Sequence, residues 1–228
     1  MTPPRHPRTI KSDLDDLLSF LIERGIAADQ NFPVLRQLAA DGWEVSFGGA
    51  EHVSIAMGDI DYSDIHQELS EKRSYNVKLI DGGLLQMMYR FEGDRLVQHR
   101  LAYFPSPSLR PFQEDPEAYL RDDLYLEIVS RRIVPFPLRF DFDEVAAREV
   151  EHPNCHLTLG DVKNCRIPVS APLTPRWFIE FVLRNFYQTE EYDFVGGLPD
   201  HRIHFQQCIT GSEQEIIHVV VPGAVANL

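Results

Sequence analysis

No stretch of the chain comes near the ~20 consecutive apolar residues that a membrane-spanning helix needs, so no membrane partner is expected. The N-terminus, Met1-Thr-Pro-Pro-Arg-His-Pro-Arg8, lacks the apolar run of a secretory signal. Its basic, proline-rich character predicts a flexible tail over residues 1–11. Cysteine is scarce: Cys155, Cys165 and Cys208 form an odd set with no close pair. That argues against a disulfide framework and for a reducing, cytoplasmic compartment. Internal repeats, low-complexity tracts and Gly/Ser linkers are missing too. Basic residues are outnumbered, with 22 Lys and Arg against 35 Asp and Glu, for a formal net charge of -13. This balance favours solubility and opposes non-specific nucleic-acid binding, whose affinity comes mainly from Lys and Arg. It leaves room for a local basic site.

What is present is ordinary globular composition, 43% hydrophobic and 25% charged over 228 residues. A chain of this length buries roughly 70% of its unfolded surface and needs no disulfide or metal to fold. Residues 12–228 are expected to form one domain. Ser12, with Asp15 three residues on, predicts a helix start, and Leu14, Leu17, Leu18, Leu21 and Ile22 repeat at helical spacing up to Gly25. Leu35, Leu38 and Ala39 predict a second helix over 30–41; Tyr62, Ile65, His66 and Leu69 predict a third. Residues 43–47 alternate like a strand, with 52–57 as a partner. Residues 76–80, 84–91 and 95–104 are separated by Asp81-Gly82-Gly83 and Glu92-Gly93-Asp94, which carry hairpin chemistry. Asp115-Pro116-Glu117 opens a helix expected to reach Arg132. Residues 138–143, 156–159 and 164–169 read as three more strands. Thr174-Pro175 opens a long C-terminal helix with Trp177, Phe178, Phe181, Val182 and Phe186 inward, and 201–207 with 215–221 predict a closing hairpin. The expected fold is α+β: an antiparallel sheet of about six central strands packed against N-terminal helices and one long C-terminal helix.

Several phrases share a common pattern: Asn76-Val-Lys-Leu-Ile-Asp-Gly-Gly83, His99-Arg-Leu-Ala-Tyr-Phe-Pro-Ser-Pro107 and Arg139-Phe-Asp-Phe-Asp143. His152-Pro-Asn-Cys-His-Leu-Thr-Leu-Gly160, Asn164-Cys-Arg-Ile-Pro-Val169 and the stretch 178–187 continue it. Together they resemble one bacterial family, the domain of unknown function numbered 2290, over roughly residues 10–220. The resemblance implies a bacterial, intracellular protein and no particular activity, substrate or cofactor. The His-Pro-x-x-His-Leu stretch is also similar to some toxins of toxin–antitoxin systems.

Strand alternation sorts side chains onto two faces. Leu138, Phe140 and Phe142 share one face, and Arg139, Asp141 and Asp143 the other. Cys155, Leu157 and Leu159 fall on the apolar side, His156 and Thr158 on the polar side. Cys165, Ile167 and Val169 point in, and Arg166 points out with Asn164. Val97, Leu101 and Tyr103 put Gln98 and Arg100 on the polar side, and Arg90 follows Gln86 there. If sequential strands are neighbours, one face carries Arg90, Arg100, Arg139, Asp141, Asp143, His156 and Arg166.

Guanidinium groups bind phosphate bidentately, which makes Arg90, Arg100, Arg139 and Arg166 the expected substrate-binding set. Asp141 and Asp143, two apart on one strand, are the expected ligands of a divalent Mg or Mn ion. His156 is the expected proton carrier. This set predicts a metal-assisted nuclease, phosphoester-processing enzyme or toxin acting on nucleic acid or nucleotides. The alternative is a salt-bridged face on a non-catalytic subunit of a defence or toxin–antitoxin assembly, bound to a protein partner. A third reading is a binder of small anions.

Other motifs carry less. His152 and His156 are four apart, but Pro153 opposes a helix and zinc peptidases carry Glu at the second position. A zinc site from His152, Cys155 or His156 with Cys165 or Cys208 is therefore disfavoured. His99 reads as a core histidine. His201 and His204 are expected on opposite faces of one strand. The glycine pairs lack the Lys-Ser/Thr of a phosphate loop, and Ser106 and Ser108 lack a nucleophile-elbow context.

Overall fold

Among the described residues nine strands pair into one antiparallel sheet. The computed structural model describes residues 2–38, 41–48, 60–109, 112–120, 136–160, 162 and 164–224. The strands are β1 (Ala27–Gln30), β2 (Val34–Gln37), β3 (Gly42–Ser46), β4 (Val77–Leu79), β5 (Leu84–Glu92), β6 (Arg95–Phe104), β7 (Leu138–Asp143), β8 (Cys155–Leu159) and β9 (Ile167–Pro168). Along the main path the order is β1-β4-β5-β6-β7-β8-β9. Strand β3 pairs with β2 and with β5, so β3 and β4 share one edge of β5. The two glycine turns join β4 to β5 and β5 to β6, as their composition predicts.

One face of the sheet carries the main core. Met87, Tyr89, Leu101, Tyr103, Phe140, Phe142, Cys155 and Leu157 point into it. Helices α1 (Arg5–Glu23) and α4 (Pro175–Val182) supply the facing layer through Leu14, Leu17, Leu18, Leu21, Phe178, Ile179 and Val182. Helix α2 (Tyr62–Glu71) covers one end of the opposite face, packing Ile65 and Leu69 on Leu84, Ala102 and Phe104. Also helical among the described residues are a 3-10 turn over Phe112–Glu114, α3 (Pro116–Leu120) and α5 (Gly211–Gln214).

The sheet has nine strands rather than six because β1, β2 and β3 join the six central strands, β2 standing where a helix over 30–41 is expected. Pro33, which has no backbone donor, separates β1 from β2, and β2 pairs with β3 from Val34↔Ser46 to Gln37↔Trp43. The helical spacing of Leu35 and Leu38 is fortuitous: Leu35 packs against the core, while Leu38 is 47% exposed. Helix α1 begins at Arg5, so Ser12 is an interior position. Ile10 extends the apolar stripe one turn back from Leu14, and Pro7 sits in the first turn, where a missing N–H costs nothing. The single long C-terminal helix that is expected does not form: α4, opened by Thr174, spans eight residues and gives way to a π-helical turn over Leu183–Tyr187. No hairpin forms between 201–207 and 215–221; Val219 instead bridges Val169 in parallel. The expected strand over 52–57 and the helix expected beyond α3 lie outside the described residues. Among the described residues no helix is long and apolar enough to cross a membrane.

Candidate functional site

Beyond the strip covered by α2, the second face of the sheet is organised into cross-strand rows. Arg36, Glu44, Arg90, Gln98 and Asp143 stand opposite one another across β2, β3, β5, β6 and β7. The adjacent row runs Met88, Arg100, Asp141, His156 and Pro168. Gln86, Ala102, Arg139 and Thr158 follow. Alternation therefore brings Arg90, Arg100, Arg139, Asp141, Asp143 and His156 to one face. Arg166 precedes β9, whose Pro168 pairs His156, and its charge acts on the His156 ring.

The first row is closed upon itself. Glu44 has no exposed surface; its Oε1 accepts from Arg36 Nη2 at 2.6 Å and its Oε2 from Arg90 Nε at 2.8 Å. Burial pushes the Glu44 carboxyl up, but the bonds from Arg90 and Arg36 outweigh it and hold it below the usual glutamate range. Arg90 Nη1 goes on to Gln98 Oε1 at 3.2 Å, and Gln98 Nε2 donates to Asp143 Oδ2 at 2.7 Å. Asp143 Oδ1 caps the following turn, accepting from the amides of Val145 at 2.9 Å and Ala146 at 3.1 Å.

The second row is open. Asp141 takes Arg100 Nε on Oδ1 at 3.3 Å and Arg139 Nε on Oδ2 at 3.0 Å. Neither guanidinium has a partner for its terminal nitrogens among the described residues. His156 Nε2 stands 4.0 Å from Asp141 Oδ2. The His156 ring is almost wholly buried, and its Nδ1 lies 2.9 Å from the Pro153 carbonyl. A carbonyl only accepts, so Nδ1 carries the proton and Nε2 holds the lone pair. Burial lowers the His156 pKa below 6.5, and the charges of His152 and Arg166 push the same way. The bond to Pro153 and the Asp141 carboxylate oppose this without cancelling it. His152 is fixed alike, with Nδ1 2.7 Å from the Ala146 carbonyl and its ring centroid 4.9 Å from that of His156.

The two carboxylates expected to share a metal thus have separate partners. A divalent cation bridging them would have to displace Arg100 and Arg139 from Asp141, and Gln98 or the turn amides from Asp143. Among the described residues no group of three or more His, Cys, Asp or Glu is placed to hold a metal ion. Cys155 faces the core, its thiol donating to the Ala171 carbonyl at 3.4 Å, away from the two histidines. His99 is buried in the core, where its Nε2 accepts from the Leu173 amide at 3.2 Å and burial pushes its pKa down to about 4. His201 and His204 are not on opposite faces: their segment is irregular, and their rings meet at 4.2 Å between centroids.

Arg36 escapes the sequence reading because 30–41 reads as a helix, and Glu44 because its strand, although expected, is not placed in the same sheet as Arg90 by any local pattern. The available signal is Glu44 itself, a carboxylate between the apolar Trp43 and Val45. The sequence reading also sets His152 aside, since only the turn geometry places that ring beside His156.

Fold and face together define an α+β protein built on one nine-stranded antiparallel sheet, helix-packed on its core side and arginine-lined on part of the other. The chain belongs to the family described as uncharacterized conserved protein DUF2290, which it matches over residues 26–221. No curated protein and no solved structure matches it.

Proposed function

We propose that the open row binds a phosphate-bearing ligand, a nucleotide or a nucleic-acid strand, and that the protein processes the phosphoester in the bacterial cytoplasm. The carrying observation is the anchoring of Arg100 and Arg139. Each is held through Nε by Asp141, with its terminal nitrogens unpaired among the described residues. A guanidinium fixed in this way is pre-oriented for a phosphate oxygen and loses little freedom on binding. Arg36, Arg90, Arg100, Arg139 and Arg166 outnumber Glu44, Asp141 and Asp143, which makes this face a basic island on a chain of net charge -13. The free cysteines Cys155, Cys165 and Cys208 suit a reducing compartment.

The test is fluorescence anisotropy with labelled single-stranded RNA and DNA, with nucleotides as competitors, at 50 and 200 mM salt, with and without Mg²⁺ or Mn²⁺. Salt-sensitive binding that weakens at least fivefold in Arg100→Gln and in Arg166→Gln supports the reading. No binding by the folded wild-type protein, or equal binding by both variants, rejects it. A second reading, a protein-interaction subunit, is favoured by Ile217 and Val220. They are 91% and 65% exposed beside Val219, which bridges to the strand end at Val169. Co-purification of a partner lost in Ile217→Asp would support it; a partner retained by that variant would count against it.

A further inference from the structure

We infer that His156 and His152 form an acid–base pair that cleaves an RNA strand through the strand's own 2′-hydroxyl, without a metal ion. The inference rests on the phosphate-binding reading of the open row. Both rings donate Nδ1–H to carbonyls of a single connection, that between β7 and β8: His156 to Pro153 at 2.9 Å and His152 to Ala146 at 2.7 Å. Each ring is thereby locked in the tautomer that leaves Nε2 for acid–base work. The connection is itself pinned. Arg148 and His152 exchange both backbone hydrogen bonds, at 2.8 and 2.7 Å, and Asp143 Oδ1 caps the turn through the Ala146 amide.

Ring centroids 4.9 Å apart disfavour two imidazolium ions at once. The groups facing His156 are Asp141 on β7, His152 on the connection and Arg166 before β9. Only 5% of the His156 side chain is exposed, and it is the member kept neutral, the base. Asp141 Oδ2, 4.0 Å from Nε2, is placed to stabilise the imidazolium once the proton arrives.

The nucleophile has to come with the substrate. Cys155 points into the core, both oxygens of Asp141 are engaged by arginine, and those of Asp143 are held by Gln98 and the turn. A ribose 2′-hydroxyl adjacent to the bound phosphate fills that role. With the non-bridging oxygens on Arg100 and Arg139, His156 Nε2 removes the 2′-hydroxyl proton and O2′ bonds to phosphorus. The P–O5′ bond breaks, its electron pair leaves on O5′, and that oxygen takes the proton from Nε2 of protonated His152. The products are a 2′,3′-cyclic phosphate and a free 5′-hydroxyl. Water then returns the two rings to their starting protonation, and no external reagent is consumed.

The experiment incubates the full chain in EDTA with a labelled oligoribonucleotide and with the same strand carrying only 2′-deoxy sugars, reading cleavage on gels and the new termini by mass. Anisotropy on the same samples reads binding. Cleavage confined to the ribose strand, with cyclic-phosphate ends, is expected. His156→Gln and His152→Gln should each cut at least 100-fold more slowly while binding RNA within threefold of wild type. RNA bound but not cut by the wild type overturns the acid–base inference alone, as does cleavage of the 2′-deoxy strand or activity that vanishes in EDTA and returns with Mg²⁺. RNA neither bound nor cut overturns this inference together with the phosphate-binding reading. If His156→Gln does not fold, His152→Gln and the 2′-deoxy strand decide the matter.

Discussion

His156 Nε2 lies 4.0 Å from Asp141 Oδ2, close enough for charge to matter and too far for a hydrogen bond. Asp141 is thus the countercharge to two arginines and to any proton that His156 acquires. Asp141→Asn removes a unit charge about 4 Å from the proposed phosphate site, worth about 1 kcal/mol in water, or roughly fivefold in affinity. The amide leaves one oxygen for the two Nε–H groups that Asp141 anchors, so the lost pre-orientation opposes that gain and net anion affinity should stay within about fivefold of wild type. The acidic limb of the pH–rate profile should move to lower pH, because the imidazolium loses its stabilising neighbour. Anisotropy and a pH–rate series measure both. A Mg²⁺-dependent gain in binding shown by the wild type and lost in Asp141→Asn would return the carboxylate to a metal-ligand role.

Arg90 and Arg100 sit on neighbouring rows and should behave in opposite ways. Arg90 is spent on Glu44 and Gln98, whereas Arg100 spends only its Nε, on Asp141. Arg90→Gln leaves a fully buried carboxylate with Arg36 as its one remaining guanidinium. Discounted for the half-exposed Arg90 side chain, the cost is about 1–2 kcal/mol, or a Tm lower by roughly 3–6 °C. Its RNA affinity should stay within about twofold of wild type. Arg100→Gln should leave Tm nearly unchanged and weaken binding at least fivefold. Calorimetry and anisotropy on the two variants check the pair, and parallel losses in both would show that the rows act as one unit.

The face was legible because its strands alternate strictly. Arg139, Asp141 and Asp143 interleave with Leu138, Phe140 and Phe142, and that period of two survives any uncertainty about strand order. Register is another matter. That Arg100 meets Asp141, and that Gln98 meets Asp143, depends on a β6–β7 pairing that no local pattern encodes. The spacing of Asp141 and Asp143 suggested a shared metal, whereas each aspartate answers to its cross-strand neighbour. Residues 30–41 misled for a different reason: short edge strands with one half-buried face carry too few apolar positions to distinguish period two from period 3.6. The His152–His156 contact is a turn property, and its sequence cue, Pro153, said only that the segment is not helical.

Acid should destabilise the protein through its buried histidines. His99 is neutral in the core with a pKa of about 4, against about 6.5 in an unfolded chain. Between those values the unfolded state binds a proton that the folded state does not, so stability falls as pH falls. From pH 6.5 to 5, His99 alone removes about 1.5 kcal/mol. His66 and His156, also lowered by burial, add to the loss. Asp81 and Asp13, raised above 3.8 by burial, work in the opposite direction at the acid end. Urea unfolding at pH 7, 6 and 5 should show the decline, and His99→Gln, whose amide oxygen can accept the Leu173 N–H, should flatten it. An unchanged slope in that variant would locate the acid sensitivity elsewhere.

Asp143 reaches the proposed chemistry through the backbone. Its Oδ1 accepts from the Ala146 amide, and the Ala146 carbonyl accepts from His152 Nδ1, so the carboxylate positions the proposed general acid. Asp143→Ala frees that turn and should lower kcat for RNA cleavage roughly 10- to 100-fold, with KM within about twofold, since Arg100 and Arg139 keep their anchor on Asp141. Asp143→Asn retains an oxygen for the same amides and should recover most of the rate. A metal-ligand role predicts the contrary: the asparagine variant would be nearly as inactive as the alanine one, because an amide oxygen supplies no charge to hold a divalent cation. Steady-state kinetics on the two variants, in EDTA and in Mg²⁺, separates a turn-holding aspartate from a metal-holding one.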